Sequence, residues 1–276
     1  MTRQEFQARG LALSREANAL DHGHGYFTSH AERLYKACAM FGLLDRKLGD
    51  VLEIGPYYGY TPFLLLPNAS SYTVIEGDDP AVRPLENLYR KRQIKVSFVD
   101  LFDLFGPTHN APHALALDSA AFDTVLCWET MEHFNFNPVK FVRELFRVLK
   151  PGGCAYLTVP NTASFQNLLG LILGRSERAH IDNYFQFEDY VSNGKKAFYG
   201  FHWREYSAPE LGHLFARAGF NLRQCDTFVA FQAHGRLSLA RRLARLGSAG
   251  LAALFRRYGT HVRLVAQKPP ETSQKS

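Results

Sequence analysis

Val51-Leu52-Glu53-Ile54-Gly55-Pro56-Tyr57-Tyr58-Gly59-Tyr60 is the stretch that decides the fold. Apolar residues lead to an acidic one, and Gly55 and Gly59 then bracket a short loop. Thr61 and Pro62 follow, residue types suited to a helix N-cap and first turn. The reading is strand, tight glycine turn, helix, the opening unit of a doubly wound nucleotide-binding sheet. Glycine permits positive φ and lets a ligand approach the backbone where a Cβ would block it.

Downstream, the same alternation continues. Tyr72–Ile75 reads as a second strand ending in Glu76, and a helix through Arg83–Arg92 leads to a strand at Lys95–Val99 that ends in Asp100. Phe122–Trp128 is the fourth strand, and Pro138 opens a helix with Phe141, Val142, Leu145, Phe146 and Leu149 on one face. Pro151-Gly152-Gly153 is expected to stop that helix before a fifth strand at Cys154–Val159. Strands alternating with helices at this spacing argue for a parallel α/β sheet. Glu53, Glu76 and Asp100 lie in or just after three successive strands, which places a cleft at the sheet's carboxyl edge.

Upstream, residues 1–47 read as a helical cap, with His22-Gly-His-Gly-Tyr-Phe27 as a loop between its helices. After Pro160 the pattern loosens, and 162–200 is expected to form a lid or insertion. A helix at Ala208–Ala218 and strands at Phe220–Phe231 and Thr260–Lys268 complete the core domain at 48–268, followed by a tail at 269–276 that is expected to be disordered. The hydrophobic share of 46% and charged share of 21% are those of an ordinary globular protein. Four scattered cysteines without C-x-x-C spacing indicate neither a zinc site nor a disulfide framework. A polar N-terminus and the lack of a membrane-length apolar run make the cytoplasm the default location.

The chain resembles the class I S-adenosylmethionine-dependent methyltransferases. The resemblance is carried by Glu53-Ile-Gly55-Pro-Tyr-Tyr-Gly59, Glu76, Asp100, Phe122-Asp-Thr-Val-Leu126 and Arg147-Val-Leu-Lys-Pro-Gly-Gly153 ahead of Val159-Pro-Asn161. It covers residues 48–161 closely, and 200–268 more loosely through His202–Tyr206 and Ala218-Gly-Phe220. A dehydrogenase would leave the Lys150-Pro-Gly-Gly153 element unexplained. The resemblance implies a Rossmann-like α/β fold, with a seven-stranded mostly parallel sheet, helices on both faces and an antiparallel last strand. It also implies S-adenosylmethionine as cofactor: Glu53 near its amino end, Gly55 and Gly59 shaping the loop, Glu76 on the ribose, Asp100 on the adenine, and Cys127, Trp128 and Glu129 as the methionine wall. Tyr57 stands where the family usually has glycine, so its side chain must point away from the cofactor or pack over it.

For the acceptor side, Glu129-Thr-Met-Glu132-His133 follows the fourth strand, and its two carboxylates and imidazole could face a divalent cation. A similar element, completed by a later histidine, occurs in ubiquinone-pathway O-methyltransferases and small-RNA 2′-O-methyltransferases. By that likeness Glu129, Glu132, His133 and His202 would hold Mg²⁺, which would lower the pKa of a diol hydroxyl. Metal-free relatives carry the same Glu-His, leaving His133 as a general base or a structural residue. Catalysis is thus expected at Glu132, His133 and His202.

The most direct expectation is O-methylation of a sugar, glycan or other polyhydroxylated small molecule. RNA 2′-O-methylation is one alternative, weakened because the sequence lacks an RNA-binding module. A non-catalytic subunit that keeps the fold is the other, motivated by Tyr57. The basic stretch Arg236–Tyr258 is read as a solvated helix with its leucines on the core, and an anionic membrane is the less favoured partner. Nothing in the sequence assigns an oligomeric state.

Overall fold

A computed structural model describes residues 1–17, 22–106, 115–174, 202–230 and 257–271, with a few single positions between them. Much of the expected lid, most of Arg236–Tyr258 and most of the expected tail lie outside the described residues. Seven strands form one sheet: β1 (Gly49–Ile54), β2 (Ala69–Gly77), β3 (Lys95–Val99), β4 (Phe122–Trp128), β5 (Leu149–Pro160), β6 (Asn221–Phe228) and β7 (His261–Gln267). Their order is β3-β2-β1-β4-β5-β7-β6. The pairings from β3 to β5 are parallel, while β7 runs antiparallel to both β5 and β6.

Side chains alternate between two cores, as the strand period requires. Val51, Val74, Leu126 and Trp128 face one apolar cluster, while Leu52, Ile54, Val125 and Cys127 face the other. The first is covered by α1 (Arg3–Glu16), α2 (His22–Met40), α3 (Thr61–Leu65) and α4 (Leu85–Lys91). The second is covered by α5 (Leu101–Phe105), α6 (Pro138–Val148) and α8 (Ala208–Arg217). A further helix, α7 (Phe165–Ile172), follows β5.

Two sequence expectations are corrected. The segment His22–Phe27 is the first part of α2 and not a loop. Two glycines cost a helix about 1 kcal/mol each, but Phe27 is fully buried on α1 and anchors the segment. The Pro151-Gly152-Gly153 element lies inside β5, which begins at Leu149 with a register shift opposite Phe122–Thr124. Lys150 there reaches Asp50 and Asp123, each at 2.8 Å, tying β1, β4 and β5 at the sheet edge away from the strand ends that carry the site.

The α1–α2 contact is close. A Cβ on Gly10 would fall 2.0 Å from the Phe27 ring, which is itself pinned by Phe6 and Tyr60. Gly10→Ala should therefore destabilise the chain by about 1–3 kcal/mol despite alanine's better helix propensity. Denaturant unfolding with Arg9→Ala, an exposed neighbour, as control checks this.

Candidate active site

In this strand order β1 has β2 on one side and β4 on the other, so the chain leaves β1 at a topological switch point. Open α/β sheets bind ligands at the carboxyl ends of such strands. After β1, Gly55 adopts φ +64°, and a Cβ there would fall 2.8 Å from Thr130 Cγ2. This glycine is required because the loop after β4 crosses it closely. Tyr57 also takes a positive φ, +47°. Its N–H donates to Glu76 Oε2 at 2.7 Å, and its ring stands edge-on to Tyr26 of α2 with centroids 4.9 Å apart. The tyrosine thus seats the helical cap on the glycine loop. Gly59 lies beneath Leu34 of the same helix.

The other expected cofactor residues separate. Glu76 is buried at the end of β2, accepting from the N–H groups of Tyr57 and Gly77, and burial pushes its carboxyl up to about 7. Its donors among the described residues are these two backbone groups, which leaves lone pairs for hydroxyls. Glu53 is fully enclosed, accepting from Thr61 and from Tyr72 at 2.5 Å, and burial raises it to about 7 as well. Asp100 N-caps α5, accepting from Phe102 N–H at 2.8 Å. Trp128 turns into the core and stacks on Phe41.

Past β4 the chain again adopts a positive φ, +47° at Glu129. Glu129 Oε2 pairs with Arg33 of α2 at 2.7 Å and lies 3.4 Å from His261 Nε2 on β7. Burial raises this carboxyl most strongly, but the Arg33 guanidinium, His261 and a hydrogen bond from Thr158 together hold it low. Its charge is paired inside the protein, and the three groups that converge do not include it. Glu132, His133 and His202 do converge, with one potential ligand atom from each lying within 4.8 Å of the others. Glu132 is buried with Oε2 unpartnered, and desolvation followed by the Glu129 charge raises its carboxyl well above the usual range. Its carbonyl accepts from Trp203 N–H at 2.7 Å, which fastens the His202 segment to the β4 loop. His202 Nδ1 contacts Glu205 Oε1 at 2.9 Å, and Glu205 in turn accepts from Asn167.

These groups line a cavity of about 440 Å³. Its lining includes Glu129, Glu132, His133 and His202, but also Tyr26, His30 and Arg33, which sequence reasoning missed. Their spacing of i, i+4 and i+7 puts all three on one face of α2, a polar stripe visible in the sequence once the segment is read as helix. Among the described residues there, Arg33 Nε, Glu129 Oε1 and Glu132 Oε2 are buried without a hydrogen-bond partner.

Residues 23–225 match the methyltransferase domain family. The chain belongs to that family. A "Probable S-adenosylmethionine-dependent methyltransferase" of Mycolicibacterium smegmatis is 28% identical over 226 residues, 80% of this chain and 66% of that protein. One from Mycobacterium tuberculosis is 27% identical over 65% of this chain and 52% of its own length. The chain thus spans between about half and two thirds of the length of these curated relatives. In fold it is similar to a Haloferax volcanii structure solved as a complex with the Trm112 methyltransferase activator (TM-score 0.56, 17% identity, 96% of this chain, 98% of that chain). It is also similar to an S-adenosylmethionine-dependent methyltransferase of Mesorhizobium loti (TM-score 0.51, 14% identity, 87% and 97%).

The residues present fit this methyltransferase family's cofactor. Its methionyl end carries an ammonium and a carboxylate, and the cavity lining includes the oppositely charged Glu129 and Arg33. Glu76, buried and unopposed by a cation, suits the ribose hydroxyls. For a cation, two imidazoles and one carboxylate suit Mn²⁺, Fe²⁺ or Zn²⁺ better than oxygen-seeking Mg²⁺.

Proposed function

We propose that this protein is an S-adenosylmethionine-dependent O-methyltransferase acting on a hydroxyl of a sugar, glycan or other polyhydroxylated small molecule. The observation that carries the acceptor side is the Glu132–His133–His202 cluster opening into the cavity beside Glu129 and Arg33. S-adenosylmethionine, when bound, supplies an electrophilic sulfonium methyl group. Arg33 would hold its carboxylate, Glu129 its ammonium, and Glu76 the ribose hydroxyls. The imidazole of His133 takes the proton of the acceptor hydroxyl as it attacks, while Glu205 orients His202 beside it.

The convergence of three donors and the unpartnered Glu132 oxygen favour a second, cation-assisted reading of the same cluster. There Glu132, His133 and His202 would hold the cation, which would make the hydroxyl more acidic.

Calorimetric titration with S-adenosylmethionine, then an acceptor screen among diols and glycans, tests the reading. His133→Ala should lose about 10²–10⁴ in turnover while cofactor affinity stays within a factor of a few. Activity that survives chelation selects the general base. Loss restored by Mn²⁺ but not Mg²⁺ selects the cation. Absence of cofactor binding would overturn methyl transfer and leave a non-catalytic member of the family.

A further inference from the structure

α7 has an unusual division of residues. Ser164 at its N-cap, Gln166 and Asn167 line the cavity. The rest of the helix and its C-cap present Leu168, Leu169, Leu171, Ile172 and Leu173, of which Ile172 is 73% exposed. The N–H of Phe165 donates to the carbonyl of Tyr258 at 3.2 Å, and Asn161 Nδ2 donates to the carbonyl of Arg257. That joins the start of α7 to a second exposed apolar pair, Leu254 and Phe255. Arg257 beside them is exposed. The sequence from Val229 to Val262 contains six arginines and no aspartate or glutamate.

We propose that the apolar face of α7, with Leu254, Phe255 and Arg257, docks on an anionic lipid bilayer. Leucine and isoleucine side chains have no preferred partner in a nucleic acid, where stacking rings are used, but they partition into the acyl boundary of a membrane. Arg257 beside them, in an arginine-rich stretch of sequence, is attracted to anionic headgroups, at about 1 kcal/mol per charge near the surface. Apolar insertion combined with cationic flanks is how interfacial helices hold a bilayer without spanning it. No helix among the described residues is long and apolar enough to cross a membrane, so contact would be from one side. Because Gln166 and Asn167 of the same helix line the cavity, docking would bring that wall of the cavity close to the lipid surface.

The test is co-sedimentation of the full chain with phosphatidylcholine vesicles, with and without phosphatidylglycerol. It needs neither cofactor nor turnover, so it stands apart from methyl transfer. Binding is expected to require phosphatidylglycerol, to fall with added salt, and to drop at least about tenfold in Leu171→Ser/Ile172→Ser. Both positions are exposed, so circular dichroism should be unchanged. Should that variant misfold, Arg257→Glu, also exposed, gives the same reading by reversing a charge. The proposal is overturned by three results: no vesicle binding at low salt, equal binding by the folded variants, or a concentration-dependent dimer that the leucine variant abolishes while vesicles bind nothing.

Discussion

Arg33→Met should lower stability near neutral pH by about 3–5 kcal/mol, the cost of leaving a buried charge without its partner. Arg33 and Glu129 are both almost wholly buried and 2.7 Å apart. Without the guanidinium, Glu129 keeps weaker partners, His261 at 3.4 Å and Thr158 among them. The loss should ease on acidification, because a protonated Glu129 no longer needs a cation. Glu129→Gln in the same background should recover most of it, since residues in contact are not additive. For a chain of this size the single variant corresponds to a fall in Tm of roughly 10 °C, read by calorimetry. S-adenosylmethionine affinity should fall in both variants, which separates the binding role of Arg33 from its structural one.

The second large effect concerns pH. Burial raises Glu53 from 4.5 to about 7, and it raises Glu76 similarly. Between those values the folded chain keeps protons that the unfolded chain releases. Stability therefore falls as pH rises through this window and is fullest below it. For Glu53 alone the fall is about 3 kcal/mol, taking ~1.4 kcal/mol per pH unit. Glu53→Gln should remove that share, so that the variant outlasts the parent above pH 7 and the urea midpoint declines less from about pH 5 to about pH 8. Glutamine can be accommodated because the Thr61 and Tyr72 hydroxyls accept as well as donate, while its carbonyl oxygen can still face the Trp128 N–H.

What was legible in the sequence follows from the range of the forces involved. The strands at Lys95–Val99 and Phe122–Trp128 and the helix starting at Pro138 stand where periodicity and a proline put them. The glycine loop was equally plain, because Gly55 answers to a local crossing. The start of α2 was misread because propensity favours a loop at His-Gly-His-Gly, whereas Phe27 is held by α1. Asp100 was recognised as a strand-end carboxylate, but its caught N–H belongs to a helix only five residues long that left no periodic trace. Glu129 was read as a cofactor or cation residue after β4, and its ion pair was not foreseen. Its charge is answered by Arg33, far away in sequence, and no spacing rule reaches that distance. The Glu132–His133–His202 convergence was anticipated from family likeness, and the backbone bond from Trp203 to Glu132 supplies its physical cause.

The Arg33–Glu129 pair has a kinetic corollary. A helical segment latched by a desolvated ion pair cannot swing outward without stranding both charges, so α1 and α2 behave as a fixed wall and not as a door. Amide hydrogens of α2 around Arg33 should then exchange only on global unfolding, as slowly as those in the central strands.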